Sequence, residues 1–237
     1  MYISGLRNIR VIATDVDGTL TNKEKKLSIT AVKAIRKFEE HGIKIILISG
    51  QPFPSISLLA QYIGTSGPIV AEGGCVVGFP WKPLYVAERK FDPNKVTELM
   101  KKIGFEPSGT NLFRLSDLAF HRVNTDISVH EILNYLNKHG IGEIAAFDSG
   151  FAVHIQPKNV NKATGLIKAL EMINENPKNV LVIGDGENDI PMLKIAGFSA
   201  TPLDAMEEAK KHAKIVLNKE NGEALGLLVE MILGIKR

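Results

Sequence analysis

Short apolar runs alternate with amphipathic segments in the first and last thirds of the chain. The runs are short enough to be buried strands, whereas the segments between them repeat apolar residues at helical spacing. This alternation predicts a parallel sheet wound with helices. The predicted strands of this sheet are six runs: residues 10–14, 44–49, 68–72, 179–184, 198–201 and 214–217.

The segments between these strands carry the start and stop signals of helices. Ser28 can cap the first helix with its side chain, and Gly42 can end it. Asn161 is a similar cap later in the chain, and Pro191 suits the first turn of a shorter helix. Helices are therefore predicted over residues 28–42, 53–64, 161–173, 191–197, 204–213 and 223–233.

The middle of the chain has a different rhythm. Residues 143–148 and 151–157 alternate apolar and polar side chains around Ser149 and Gly150, which is typical of an antiparallel hairpin. Further predicted elements here are strands at residues 83–88, 111–115 and 119–123 and helices at residues 92–104 and 128–140. We therefore predict an α/β fold, with a doubly wound, mostly parallel, six-stranded core and a smaller α+β insert. The predicted domains are a core of residues 1–82 and 157–237 and an insert of residues 83–156.

Composition narrows the class of protein. A length of 237 residues suits one large domain with an insert, and a net charge of +3 with scattered basic residues argues against a nucleic-acid partner. Cys75 is the only cysteine, which excludes an intrachain disulfide and predicts a buried thiol. Residues 1–11 lack the apolar region of a signal peptide, and no apolar run is long enough for a membrane span. We expect a soluble, cytoplasmic protein with no membrane partner.

Two acids stand where the first predicted strand ends, in the stretch "VIATDVDGTLTN". Asp15 and Asp17 are two residues apart, so an extended backbone would place both side chains on the same side. A calcium-binding loop would need glycine at position 20 and glutamate at position 26, where this chain has Leu20 and Lys26. An ordinary turn built from aspartate and glycine remains the alternative.

Two further features suit the binding of an anion. Ser49 and Gly50 end the second strand, where a hydroxyl and approachable backbone N–H groups can meet an anion, although many turns carry such small residues. Lys162 stands at a helix start, against the preference of the helix dipole for negative charge. That placement becomes favourable if the ammonium faces a bound anion, while an exposed surface lysine is the alternative.

The stretch "GDGENDIPM" crowds acidic and amide side chains into one turn between strand and helix. Asp185, Glu187, Asn188 and Asp189 offer the oxygen ligands that a hard cation such as Mg²⁺ prefers. Helix capping explains one of these residues but not the group. In an open α/β sheet the carboxyl ends of the strands form the ligand crevice, so both acidic groups would meet there. A divalent cation would offset their repulsion.

Together these motifs resemble the haloacid-dehalogenase (HAD) superfamily of phosphohydrolases. The DxDGT motif of that superfamily matches Asp15 to Thr19, and its Ser/Thr-Gly motif matches Ser49 and Gly50. Its lysine matches Lys162, and its GDxxxD motif matches Gly184 through Asp189. The position of the insert is similar to the C2-capped, Cof-like branch, and most of all to the archaeal-type phosphoglycolate phosphatases.

The resemblance implies a Rossmann-like core, a cap that closes over the site, and a specific set of roles. Catalysis would use an aspartyl-phosphate intermediate on a small phosphorylated metabolite, with 2-phosphoglycolate as the first choice. A sugar-phosphate phosphatase, a phosphomutase of the same fold and, outside enzymes, a receiver-like signalling domain are the alternatives. The implied roles are Asp15 as nucleophile, Asp17 as general acid and base, Ser49, Gly50 and Lys162 as phosphoryl ligands, Asp15, Asp17, Asp185 and Asp189 as Mg²⁺ ligands, and Thr19 and Asn188 as accessory residues.

Two departures from the Cof-like pattern leave the substrate open. Gln51 stands where many members have arginine, and Gly73 stands where many have asparagine, in the run "EGG" from residue 72. In the cap, four basic residues could contact an anionic leaving group, although each could equally be an ordinary exposed strand residue. These residues are Arg114, His121, Arg122 and His154. The sequence is also compatible with a homodimer.

Overall fold

Two sheets organise residues 8–234, the part of the chain that the computed structural model describes. Residues 1–7, which belong to the segment assessed for a signal peptide, lie outside it, as do residues 235–237. The strands are β1 (Val11–Asp15), β2 (Lys44–Ile48), β3 (Ile69–Ala71), β4 (Val76–Phe79), β5 (Lys82–Val86), β6 (Phe105–Pro107), β7 (Leu118–Arg122), β8 (Ile144–Asp148), β9 (Val153–Pro157), β10 (Val180–Ile183), β11 (Phe198–Thr201) and β12 (Ile215–Val216).

The large sheet has eight strands in the order β12-β11-β10-β1-β2-β3-β4-β5. The six strands from β12 to β3 are parallel, as predicted, and β1 lies between β10 and β2. The predicted total of six is wrong, because β4 and β5 continue the sheet as antiparallel strands. Most of β5 is exposed at the sheet edge, so its sequence lacks the continuous apolar run of a buried parallel strand.

Helices pack against both sheets. They are α1 (Ile29–Glu40), α2 (Phe53–Ile63), α3 (Pro93–Lys102), α4 (Val129–Lys138), α5 (Lys162–Met172), α6 (Ile190–Ile195), α7 (Glu207–His212) and α8 (Glu223–Leu233). One apolar cluster joins α1, α2 and α8 to one face, and a second joins α5, α6 and α7 to the other. The predicted caps are confirmed, since Ser28 accepts a hydrogen bond from the Ala31 N–H and Asn161 accepts them from Ala163 and Thr164. Among the described residues, no helix is long and apolar enough to cross a membrane.

The small sheet is antiparallel, in the order β6-β7-β9-β8, and α3 and α4 pack against it around a separate apolar cluster. This is the predicted α+β insert, which we call the cap. Its predicted start at residue 83 is corrected, because β5 pairs with β4 in the large sheet. The strand predicted at residues 111–115 is also wrong, because residues Gly109–Phe113 form a 3₁₀ helix after the Ser108 cap.

Candidate active site

The ends of three neighbouring strands bring the predicted motifs together. Asp15 is the last residue of β1, Ser49 follows β2, and Asp185 follows β10 after one glycine. Because β1 pairs in parallel with both β2 and β10, their carboxyl ends lie at the same edge of the sheet. Asp15 and Ser49 are buried there, although each is charged or polar. The strand order therefore assembles the site that the motif spacing predicted.

Lys162 lies at the first position of α5 and connects two of the acids. Its side chain is buried, and Nζ lies 2.5 Å from Asp15 Oδ1 and 2.5 Å from Asp189 Oδ1. Burial favours a lower pKa for this ammonium, but the charges of Asp15 and Asp189 outweigh it and hold the pKa above its usual value. Lys162 is therefore not the exposed surface lysine of the alternative, and its contact with a bound anion stays a prediction.

The acids of this edge repel one another despite the lysine. Burial raises the pKa of Asp15 well above its usual value, and the charges of Asp189 and Asp185 act in the same direction. Burial and the Asp189 charge raise the pKa of Asp185 to about 6, against the hydrogen bond from Thr19. Three carboxylates, of which Asp185 is half-buried, leave an excess of negative charge over the one ammonium. This excess favours a bound cation.

The three carboxylates can each present one oxygen to the same ion. One oxygen each from Asp15, Asp185 and Asp189 lies within 4.8 Å of the others. Asp189 uses Oδ1 for Lys162 and accepts the backbone N–H groups of Asp185 and Gly186 on Oδ2, at 2.9 and 3.0 Å. Asp15 and Asp185 are therefore better placed as direct ligands, with Asp189 orienting the group. Carboxylate oxygens in this number fit Mg²⁺.

Glycine and threonine of the first motif complete this edge. Gly18 has a left-handed φ of 89°, and a Cβ there would collide with the Asp185 carboxylate. Thr19 is buried and its Oγ1 donates to Asp185 Oδ1 at 2.8 Å. Thr19 therefore contacts a predicted metal ligand, as expected for an accessory residue.

Asp17 points to a different neighbour from Asp15. Its Oδ2 lies 3.4 Å from Ser49 Oγ and 3.4 Å from Gln51 Nε2, and its side chain is only half-buried. Ser49 Oγ also accepts the Gln51 backbone N–H at 3.0 Å. The pair that is close in sequence is thus divided, with Asp15 on the ammonium and Asp17 on the loop after β2.

Core and cap together enclose a cavity of about 560 Å³ above these groups. Asp15, Asp17, Gly50, Lys162 and Asp185 line it from the core, and Asn188 also reaches it. The cap supplies the opposite wall, of which the sequence predicts only the basic residues. Its lining side chains include Ser108, Thr110, Arg114, His121, Ser149 and His154.

Three of the four basic residues predicted in the cap line the cavity, and the fourth does not. Arg114, His121 and His154 line the cavity. Arg122 contacts Asp148 Oδ2 at 2.9 Å through Nη2 and the Ile127 carbonyl through Nη1, and it is absent from the lining residues of that cavity. Arg114 is buried against Asp117, a residue that no local motif marked.

Glu72 joins the cap to the core. Its buried carboxylate accepts the backbone N–H groups of Leu115, Ser116 and Asp117 at 2.8 to 3.2 Å. Burial, and then the charge of Asp117, raise the pKa of Glu72 to about 7. Its own φ of 52° lies in the left-handed region, which is unusual for a residue with a side chain. The run after β3 thus anchors the cap.

The predicted burial of the single cysteine is confirmed. Cys75 is fully buried behind Glu72, and burial raises the pKa of its thiol. A thiol of this kind is a poor nucleophile. The catalytic candidates therefore remain the carboxylates.

Comparison with known proteins agrees with this geometry. A family model described as haloacid dehalogenase-like hydrolase matches residues 12–139 and 118–227. The chain belongs to this family, which confirms the resemblance that the motifs indicated. Its sequence is similar to two archaeal proteins named phosphoglycolate phosphatase. It is 32% identical over 229 residues to that of Aeropyrum pernix, covering 96% of this chain and 95% of the relative. It is 30% identical over 227 residues to that of Methanopyrus kandleri, covering 94% and 97%.

Solved structures show the same architecture. The crystal structure of Thermoplasma acidophilum 0175 matches with a TM-score of 0.85 at 27% sequence identity, covering 96% of this chain and 99% of that one. A haloacid dehalogenase-like hydrolase from Bacteroides thetaiotaomicron matches with a TM-score of 0.74 at 21% identity, covering 96% and 100%. The second likeness concerns the fold alone. The α/β core and the insert are thus shared features.

Proposed function

We propose that the protein is a Mg²⁺-dependent phosphomonoester hydrolase that acts through an aspartyl-phosphate on Asp15. The observation that carries this proposal is the cluster in which buried Lys162 contacts buried Asp15 and Asp189, with half-buried Asp185 beside them. A buried carboxylate beside a fixed ammonium, at the open edge of a parallel sheet, supports the role of Asp15 as the nucleophile. Family membership supports the same class of reaction.

In the first half-reaction an Asp15 carboxylate oxygen attacks phosphorus, and the bond from phosphorus to the ester oxygen breaks. Asp17 gives its proton to the departing alkoxide, which leaves as an alcohol. In the second half-reaction Asp17 takes a proton from water, whose oxygen attacks phosphorus and releases inorganic phosphate and the Asp15 carboxylate. The half-buried position of Asp17 at the cavity wall suits this repeated proton transfer.

Ser49 and Lys162 would hold the phosphoryl oxygens during both steps. The Ser49 hydroxyl and the Lys162 ammonium are donors that burial fixes in place, so they require little reorganisation during the reaction. Gly50 would allow backbone N–H groups to approach the same oxygens, and Asn188 would line the opposite side. These roles match the positions that the resemblance assigned.

The residues present fit Mg²⁺. Asp15 and Asp185 would bind it directly with the Asp17 backbone carbonyl, and Asp189 would orient them from behind. When bound, Mg²⁺ would offset the negative charge of the phosphoryl group and of the surrounding carboxylates.

We propose 2-phosphoglycolate as the substrate, which the archaeal relatives named phosphoglycolate phosphatase support. A sugar-phosphate phosphatase and a phosphomutase remain the alternatives, and a homodimer stays a prediction. The buried, lone Cys75 suits the reducing cytoplasm, where we expect the enzyme to act.

Phosphate release from a panel of esters, ranked by kcat/KM, tests the function and its substrate. We expect 2-phosphoglycolate to rank first, with net release of phosphate that a mutase would not give. Asp15→Asn should remove this activity, while Asp126→Asn, an exposed acid of the cap, should retain it. Near-full turnover by Asp15→Asn would contradict the nucleophile assignment.

A further inference from the structure

A second charged group lies in the cap wall, centred on Asp117. This residue precedes β7 and is fully buried. Arg114 Nη1 donates to its two carboxylate oxygens at 2.7 and 2.8 Å, and His154 Nδ1 lies 2.9 Å from Oδ2. Although burial raises it, the pKa of Asp117 is held below its usual value by His154 and Arg114. Asp117 is therefore an ionised acid with two fixed partners.

Arg114 is engaged by protein groups on several sides. Its Nη1 also donates to the Gly50 carbonyl at 3.0 Å, and its Nε donates to Thr110 Oγ1 at 3.2 Å. The Asp117 carboxylate offsets its charge at close range. Arg114 thus ties the cap to the loop after β2, and its charge is compensated before a ligand arrives.

His154 is held by its other contacts so that one edge faces the cavity. Its ring stacks on Phe147, with centroids 4.6 Å apart and planes within 2°. Nδ1 is occupied by Asp117, and Nε2 lies 3.4 Å from Ser149 Oγ. A Cβ placed on Gly50 would lie 3.7 Å from Cε1 and 3.8 Å from Nε2 of His154. This edge of the ring therefore lies close to the loop after β2. The imidazole therefore has a fixed orientation, and its Nε2 has only the long contact with Ser149 Oγ.

A carboxylate that accepts a hydrogen bond from one ring nitrogen holds the ring in one orientation. We propose that Asp117 is a positioning residue that accepts the Nδ1–H of His154 and directs a second N–H, on Nε2, to the leaving group of the phosphomonoester, and thereby selects leaving groups that carry an anion. This inference rests on the proposed phosphatase function. The phosphoryl group would lie on the core side with Asp15 and Lys162, so a cap residue meets the other end of the ester.

A pair of esters of similar size separates contact with the leaving group from contact with the phosphoryl group. The substrates are 2-phosphoglycolate and ethyl phosphate, which lacks the carboxylate. For Asp117→Asn and His154→Gln we expect kcat/KM on 2-phosphoglycolate to fall about tenfold or more, mainly through KM. Values for ethyl phosphate should change less than about twofold. Asp126→Asn, the same change at an exposed cap position, should alter neither ester.

The double variant tests whether Asp117 acts through His154. If it does, Asp117→Asn combined with His154→Gln should lose no more than His154→Gln alone. Additive losses, equal losses on both esters, or a wild-type preference for ethyl phosphate would overturn the proposal. A wild-type protein that hydrolysed other phosphate esters of the panel but neither of these two would overturn this inference alone, and one that hydrolysed no ester would overturn the phosphatase function as well.

A spectroscopic measurement reports the state of the His154 ring in the wild-type protein directly. Nitrogen-15 NMR of the histidine rings, with His154 assigned by its absence in His154→Gln, reports which ring nitrogen carries hydrogen. We expect protons on both ring nitrogens of His154, because Nδ1 donates to Asp117 and Nε2 has to donate to the anionic leaving group, and we expect a changed signal in Asp117→Asn. A ring protonated on only one nitrogen would contradict the proposal.

Discussion

Two buried groups of charged side chains line the same cavity, and they differ in how far their charges cancel. The core cluster sets three carboxylates against one ammonium, whereas the cap cluster sets one carboxylate against a guanidinium and an imidazole. The core cluster is Asp15, Lys162, Asp185 and Asp189, and the cap cluster is Arg114, Asp117 and His154.

This difference indicates that the core cluster binds charged ligands, whereas the contacts of the cap cluster are already formed without a ligand. Uncompensated buried charge is costly, so the core cluster gains stability from a cation and a phosphoryl group that bring opposite charges. In the cap cluster both partners contact the single carboxylate, so these contacts serve to fix geometry. The protein thus places its chemistry where carboxylates are in excess and its orientation where the carboxylate is held by its partners.

Of the tests of this comparison, removal of the cation should have the largest effect on activity. Chelation with EDTA should abolish phosphate release, because the core cluster lacks compensation without an ion, and added Mg²⁺ should restore it. Mg²⁺ should also raise the Tm of the wild-type protein and raise that of Asp185→Asn far less. Full activity in excess EDTA would contradict the account.

Loss of the lysine should have the next largest effect. Lys162→Met leaves Asp15 and Asp189 without their shared ammonium, and kcat/KM should fall about a thousandfold. Lys168→Met on the same helix removes an exposed lysine and should change kcat/KM by less than about twofold. Similar losses in the two variants would show that Lys162 matters for the helix and not for the cluster.

The contact between the two regions should depend on pH through Glu72. Its pKa is about 7 in the folded protein and 4.5 as the ordinary value, so the folded state retains the proton as pH rises. This stabilisation is complete below pH 4.5 and is lost as pH rises to about 7. The 2.5-unit difference corresponds to about 3 kcal/mol of unfolding free energy. Urea unfolding of the wild-type protein and of Glu72→Gln at several pH values measures this contribution to the free energy of unfolding. The same pH dependence in both proteins would contradict the role of Glu72.

Loss of the hydrogen bond that supports a predicted metal ligand should have the smallest effect on activity. Thr19→Val removes the hydrogen bond to Asp185, and Mg²⁺ affinity should weaken about tenfold. Activity at saturating Mg²⁺ should recover most of its wild-type value, because the ligands themselves remain. A titration of activity with Mg²⁺ checks both statements, and an unchanged midpoint would count against the role of Thr19.

The core could be predicted because its signals are local. Its parallel strands are buried on both faces and appear as continuous apolar runs, and the catalytic candidates follow their ends within a few residues. The sequence assigns β5 to the insert instead of the large sheet, because an exposed edge strand lacks a continuous apolar run. The misfit of Lys162 with its helix dipole marked a buried lysine, and its partners within the chain are Asp15 and Asp189.

The cap cluster left no such signal. Asp117 and His154 are 37 residues apart and meet only because β7 pairs with β9. Arg114 and Asp117 are close in sequence, but no spacing rule distinguishes them from a solvated pair. Such contacts depend on the register between strands, which one sequence does not reveal.

Trapping the covalent intermediate tests the central claim most directly. Borohydride added during turnover of 2-phosphoglycolate with Mg²⁺ reduces an acyl phosphate to an alcohol, and peptide mass spectrometry locates the modified residue. The account predicts homoserine at position 15, dependent on substrate and on Mg²⁺ and absent in Asp15→Asn. Modification of another acid, or none during rapid phosphate release, would contradict it.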